Sequence, residues 1–140
     1  MPSLFGRGVS PDVYEANAYL EAQPKAPKTK ARAELDAEAK KQFALSFEAT
    51  WRLLGGPELE TEHYFHPTRD WRSDYLHRPT MTLIELEGGV FSGGRHVRGS
   101  GFVEDAIKYN AATLLGYRVI RIPTGCATPA YLESLIEAMR

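Results

Sequence analysis

Three acids stand close together in the middle of this chain. Asp74 lies in the run Trp71-Arg72-Ser73-Asp74, and two glutamates follow in Leu83-Ile84-Glu85-Leu86-Glu87-Gly88-Gly89. Side chains on a strand alternate between its faces, so Glu85 and Glu87 project to the same side. Met81 and Leu83 share that side while Ile84 and Leu86 lie opposite, so both faces of the strand read as buried. Two carboxylates on a buried face are costly unless something positive neutralises them. A divalent cation does so most simply. Magnesium and manganese take oxygen ligands and keep several waters, so two or three carboxylates on adjacent strands suffice. Such an ion orients a water, lowers its pKa and stabilises charge on a phosphodiester under attack. The plain alternative is a solvated sheet face on which alternating acids carry no chemistry.

The elements that must position these acids follow from periodicity and punctuation. A helix is expected from about Asp36 to Leu54, where Phe43, Phe47, Trp51 and Leu54 form an apolar stripe at spacings of three and four before Gly55-Gly56. Three short strands follow, over about 59–65, 70–76 and 80–87, with Pro67-Thr68 and Arg78-Pro79 as turns. A glycine-rich loop leads to a helix over about 101–115, with Ser100 as cap, Glu104 and Asp105 in the first turn, and Gly116 closing it. Tyr117–Ile122 alternates as a strand. Thr128-Pro129 opens a last helix whose Leu132, Leu135, Ile136 and Met139 form a core stripe. The order is helix, three strands, helix, strand, helix: an α/β domain over 36–140. Residues 1–35 read as an appendage, with a short helix over about 11–21 and a basic, proline-punctuated linker, Ala22–Lys30.

Composition bounds the class of protein. The chain has 140 residues, enough for one core, with 43% hydrophobic and 25% charged residues. No apolar run reaches membrane-spanning length and no signal-peptide pattern opens the chain, so a cytoplasmic protein without membrane contact is expected. A single cysteine, Cys126, excludes an internal disulfide and a multi-cysteine zinc site. His63 and His66 are three apart, which on a strand turns them to opposite faces, so zinc is not expected there. A net charge of −1 counts against a nucleic-acid partner. The distribution is more permissive: Lys25, Lys28, Lys30 and Arg32 cluster without an acid, and the loop adds Arg95, His96 and Arg98.

The element order, with Asp74 and Glu85-Leu86-Glu87 at the ends of the second and third strands, resembles the PD-(D/E)XK nuclease superfamily. The run Glu85-Leu86-Glu87-Gly88-Gly89, continuing through Gly93-Gly94-Arg95-His96-Val97-Arg98-Gly99 and Asp105-x-x-Lys108-Tyr109-Asn110, resembles a phage and bacterial endonuclease-like branch more narrowly. The compact layout is also similar to archaeal-type Holliday junction resolvases. The resemblance covers about residues 40–122. It implies a restriction-endonuclease-like core with a central mixed sheet, and Asp74, Glu85 and the backbone carbonyl of Leu86 as metal ligands. It also implies a cytoplasmic homodimer acting on branched or double-stranded DNA with Mg2+, for which Mn2+ substitutes, and leaving 5′-phosphate and 3′-hydroxyl ends. Two-fold symmetry in a junction calls for the same in the enzyme.

The resemblance departs at one position. The superfamily motif ends in lysine, and this chain has Glu87 there. Either Glu87 binds metal itself, or a cation from elsewhere fills the gap, with Lys108 the best candidate; alternatively Lys108 pairs with Asp105 on the helix surface. Glu48 stands where several resolvases place a further acid near the metal, or it pairs with Arg52 four residues on. The six glycines of 88–101 let backbone N–H groups approach phosphate, while Arg95, His96, Arg98 and Arg72 would contact it. The loop lacks the Gly-Lys-Ser/Thr ending of a P-loop. The expectation is a metal-dependent, structure-selective endonuclease resolving Holliday or branched junctions. A mismatch, nicking or restriction-type endonuclease is the nearest alternative, and a non-catalytic DNA-binding protein is the alternative from another class.

Overall fold

A computed structural model describes residues 29–88 and 99–140. The expected helix over 11–21, the linker up to residue 28 and the loop 89–98 lie outside the described residues. Thr29 opens the first helix: its backbone is extended and its hydroxyl accepts from the Arg32 N–H, satisfying a donor that the helix itself leaves unpaired. Helix α1 (Lys30–Leu53) therefore begins before the expected Asp36 and runs through residues assigned to the appendage. The physical reason is local. The last proline is Pro27, and the Ala, Lys, Arg, Glu and Leu that follow Thr29 are good helix formers.

After Gly55, whose φ of 68° ends the helix, the chain forms an antiparallel meander. Its strands are β1 (Glu60–Tyr64), β2 (Arg72–His77) and β3 (Thr82–Glu87). A 3-10 turn, Arg78–Thr80, ends on Met81 at φ 50° and takes up residues expected in the third strand. Pro79 causes this, because its fixed φ suits a tight turn and its missing N–H suits no central ladder. Helix α2 (Gly99–Leu114) crosses to β4 (Arg118–Pro123), which lies parallel to β3 with Glu85 opposite Arg121. Ser100 falls inside the first turn of α2, and Glu104 and Asp105 accordingly fall beyond that turn. Gly116, at φ 91°, closes the helix as expected. Helix α3 (Pro129–Met139) is capped by the Thr128 hydroxyl on the Tyr131 N–H.

The sheet has the order β1-β2-β3-β4 and is mixed, so the described residues form an α/β fold of three helices and four strands. Every residue of β3 is buried, as its two apolar faces required. On one face Phe47 and Trp51 of α1 and Leu132, Ile136 and Met139 of α3 pack on Tyr75, Ile84, Leu86 and Ile122. On the other, Ala112 of α2 meets Phe65, Leu76 and Leu83, with Trp71, Leu115, Tyr117 and Val119 at the margin. Alternation along β3 thus sends Ile84 and Leu86 toward α1 and α3, and Leu83, Glu85 and Glu87 toward α2. Among the described residues no helix is long and apolar enough to cross a membrane.

Candidate active site

The register between β2 and β3 runs from His77↔Thr82 to Tyr75↔Ile84 and then stops. Beyond it the Leu86 N–H donates not to backbone but to Asp74 Oδ2, at 2.8 Å. Ser73, wholly buried beside it, donates its hydroxyl to the carbonyls of Tyr75 and Ile84. Side chains therefore satisfy the polar groups that parting strands would otherwise leave bare. On the other side of Asp74, β1 carries Glu62 at φ 56°. A non-glycine residue in the left-handed region within a strand is strained, and such strain gathers at functional sites. Arg72 pairs with this same Glu62 at the exposed edge of the sheet.

With Oδ2 held, Asp74 presents Oδ1 to a cleft bordered by α1, where Lys40 Nζ lies 3.2 Å away. Lys40, Ala44 and Glu48 recur every four residues along one stripe of α1 and all line this cleft, together with Glu62, Asp74 and Tyr75. Glu48 does not depend on Arg52: the Tyr75 hydroxyl donates to Glu48 Oε1 at 2.8 Å. Burial and the adjoining Glu48 carboxylate push the Tyr75 phenol well above its ordinary range, so it stays a donor.

Glu85 is only 7% exposed. Lys108 of α2 reaches it at 2.8 Å and donates also to the Arg72 carbonyl at 2.8 Å, so the ammonium spans β2 and β3 where they part. Burial raises the Glu85 pKa above the ordinary carboxylate range; Lys108 opposes that rise and nearby Asp74 adds to it. Glu87, on the same face, has a separate partner: Arg121 of β4 donates to it. Arg121 also lies 4.0 Å from Asp105 and 4.4 Å from the centre of the Tyr109 ring. Lys108 and Asp105 consequently work across the α2–sheet interface, each toward a different strand partner.

Of the expected residues, Glu48, Asp74 and Leu86 line one cleft on the α1 side, Lys108 pairs with Glu85 on the α2 side, and Glu87 stands in its own ion pair with Arg121. Arg95, His96 and Arg98 lie outside the described residues. Lys40, Tyr75 and Arg121 were missed. The repeat of four that links Glu48 to Lys40 was a usable signal, as was Tyr75 beside Asp74. The three described histidines are taken up in hydrogen bonds: His63 with the Tyr117 hydroxyl, His66 accepting from the N–H groups of Thr68 and Arg69, and His77 with Thr80. Among the described residues no three His, Cys, Asp or Glu side chains group as a metal site. Asp74 and Glu85 are oxygen donors of the type hard, water-retaining cations prefer, and each faces a lysine ammonium here. No protein family, curated protein or solved structure matches the chain.

Proposed function

We propose that this chain is a metal-dependent DNA endonuclease of the PD-(D/E)XK kind, selective for branched DNA and acting as a homodimer on Holliday or related junctions. The observation that carries the reading is the parting of β2 and β3. There the Leu86 N–H aims Asp74 of β2 and an interior lysine holds Glu85 of β3, so an acid on each of two adjacent strands is held in place. The sheet order and the parallel return of β4 fit the core that the sequence resemblance implies.

Asp74, Glu85 and the Leu86 carbonyl would hold the ion, and bound there Mg2+ or Mn2+ supplies a water of lowered pKa and positive charge toward the phosphodiester. The protein's own groups prepare that place. Leu86 N–H fixes one oxygen of Asp74 and leaves the other free to turn to the cleft. Lys108 favours the ionised form of Glu85 against burial and supplies the positive charge that Glu87 does not. Tyr75 orients Glu48 at the rim of the same cleft. Hydrolysis by this arrangement leaves 5′-phosphate and 3′-hydroxyl ends, with Arg72, Arg95, His96 and Arg98 as the candidate phosphate contacts.

A second reading has its own observation. Asp74 and Glu85 each already have a lysine partner, so protein charge alone neutralises both carboxylates, as a non-catalytic DNA-binding protein would require. One panel separates the two. Protein with Mg2+ or Mn2+ is given a four-way junction, a nicked duplex, a linear duplex and a single strand. Symmetric cutting of the junction alone is expected. Cutting of nicked or linear duplex instead points to a nicking or restriction-type enzyme, and binding without any cutting refutes the nuclease.

A further inference from the structure

Two lysines face the two acids, but they are held very differently. The Lys108 side chain is 18% exposed and bridges Glu85 to the Arg72 carbonyl. The Lys40 side chain is 59% exposed, comes from the outer stripe of α1, and touches Asp74 Oδ1 at 3.2 Å. The cleft it enters is otherwise acidic, lined by Glu48, Glu62 and Asp74, and among the described residues Lys40 is the one cationic side chain of the lining. A long, solvated side chain drawn by several carboxylates occupies an electrostatic minimum without being locked into it. The Asp74 oxygen it contacts is the one that the Leu86 N–H leaves free.

Building on the metal-site reading, we infer that Lys40 is a displaceable counter-ion: its ammonium neutralises Asp74 in the free protein and leaves when a divalent cation arrives. The released side chain, still on the cleft wall, is then available to a DNA phosphate. Lys40 is thus a positioning residue that keeps the acids together before metal enters, and it competes with that metal. Lys108, anchored at two points, does not exchange.

The test is a Mn2+ titration of the full chain without DNA, with free Mn2+ read by electron paramagnetic resonance. The proteins are wild type, Lys40→Ala, Lys41→Ala and Asp74→Asn. Lys41 is the adjoining exposed lysine on α1, and its removal changes net charge equally. Removing the competitor should tighten Mn2+ binding by about three- to fivefold, the size of a screened surface pair. Lys41→Ala should change it less than about twofold. Asp74→Asn should abolish tight binding. If wild-type binding depends on Asp74 but Lys40→Ala binds no more tightly than Lys41→Ala, the counter-ion inference is overturned and the metal site stands. If wild type binds no Mn2+, or Asp74→Asn binds as well as wild type, the metal site fails and the inference with it.

Discussion

Replacing Lys108 with methionine probes the pairing at Glu85 most sharply. The substitution keeps the aliphatic stem and removes the ammonium that serves Glu85 and the Arg72 carbonyl. At pH 8 a buried carboxylate loses its counter-charge, and breaking such a pair costs about 3 kcal/mol at the low end of the usual range. Acid relieves this. Burial already holds the Glu85 pKa above its ordinary value, so the folded protein keeps that proton more tightly than the unfolded chain. Its contribution to stability is therefore greatest below the ordinary carboxylate range and is lost as pH rises through the folded pKa. Without Lys108 the folded pKa rises further and the window widens upward. At pH 5 more of Glu85 is protonated than at pH 8, so less of the charge-pair loss should remain and the deficit should be smaller. Urea unfolding of wild type and Lys108→Met at pH 5 and pH 8 measures the difference. The deficit should be clearly larger at pH 8. Equal deficits, or a larger one at pH 5, would refute Lys108 as the counter-charge of Glu85.

Three other substitutions follow from the same geometry. Asp74→Asn keeps an acceptor for the Leu86 N–H and should cost less than about 1 kcal/mol, whereas Asp74→Ala leaves that donor bare and should cost about 1–2 kcal/mol more in urea unfolding. Arg121→Met strands Glu87 and takes a cation away from Asp105, so it should destabilise by about 3 kcal/mol; the double variant Glu87→Met with Arg121→Met should recover part of that loss in a mutant cycle. Gly56→Ala drives a methyl group into the Trp51 indole, whose N–H is committed to the Pro57 carbonyl, and should cost about 1–3 kcal/mol with a change in tryptophan fluorescence.

The element order was legible because periodicity and breakers agree along most of the chain. Phe47, Trp51, Leu132, Ile136 and Met139 were readable as core from spacing alone, and β3 was readable as doubly buried. Boundaries failed where a local contact decides. Thr29 was hidden as a cap by the prolines before it, and Pro79 cut the third strand short through a 3-10 turn. The acids of the site were visible because carboxylates on an apolar strand are conspicuous. Their partners were not, because each comes from another element. Whether Arg118 or Arg121 faces Glu87 depends on the parallel register of β4, and Lys40 reaches Asp74 only because α1 covers that side of the sheet. Pairing across a fold needs strand order and helix placement, which one-dimensional spacing does not contain.

The account stands most directly on whether Asp74 and Glu85 share a cation. Crystals soaked in Mn2+ and measured at the manganese absorption edge would answer this through the anomalous map. The account predicts a peak bounded by Asp74, Glu85 and the Leu86 carbonyl, with Glu87 still on Arg121 and Lys40 turned away from Asp74. A map with no peak there, and both carboxylates still on their lysines, would contradict it.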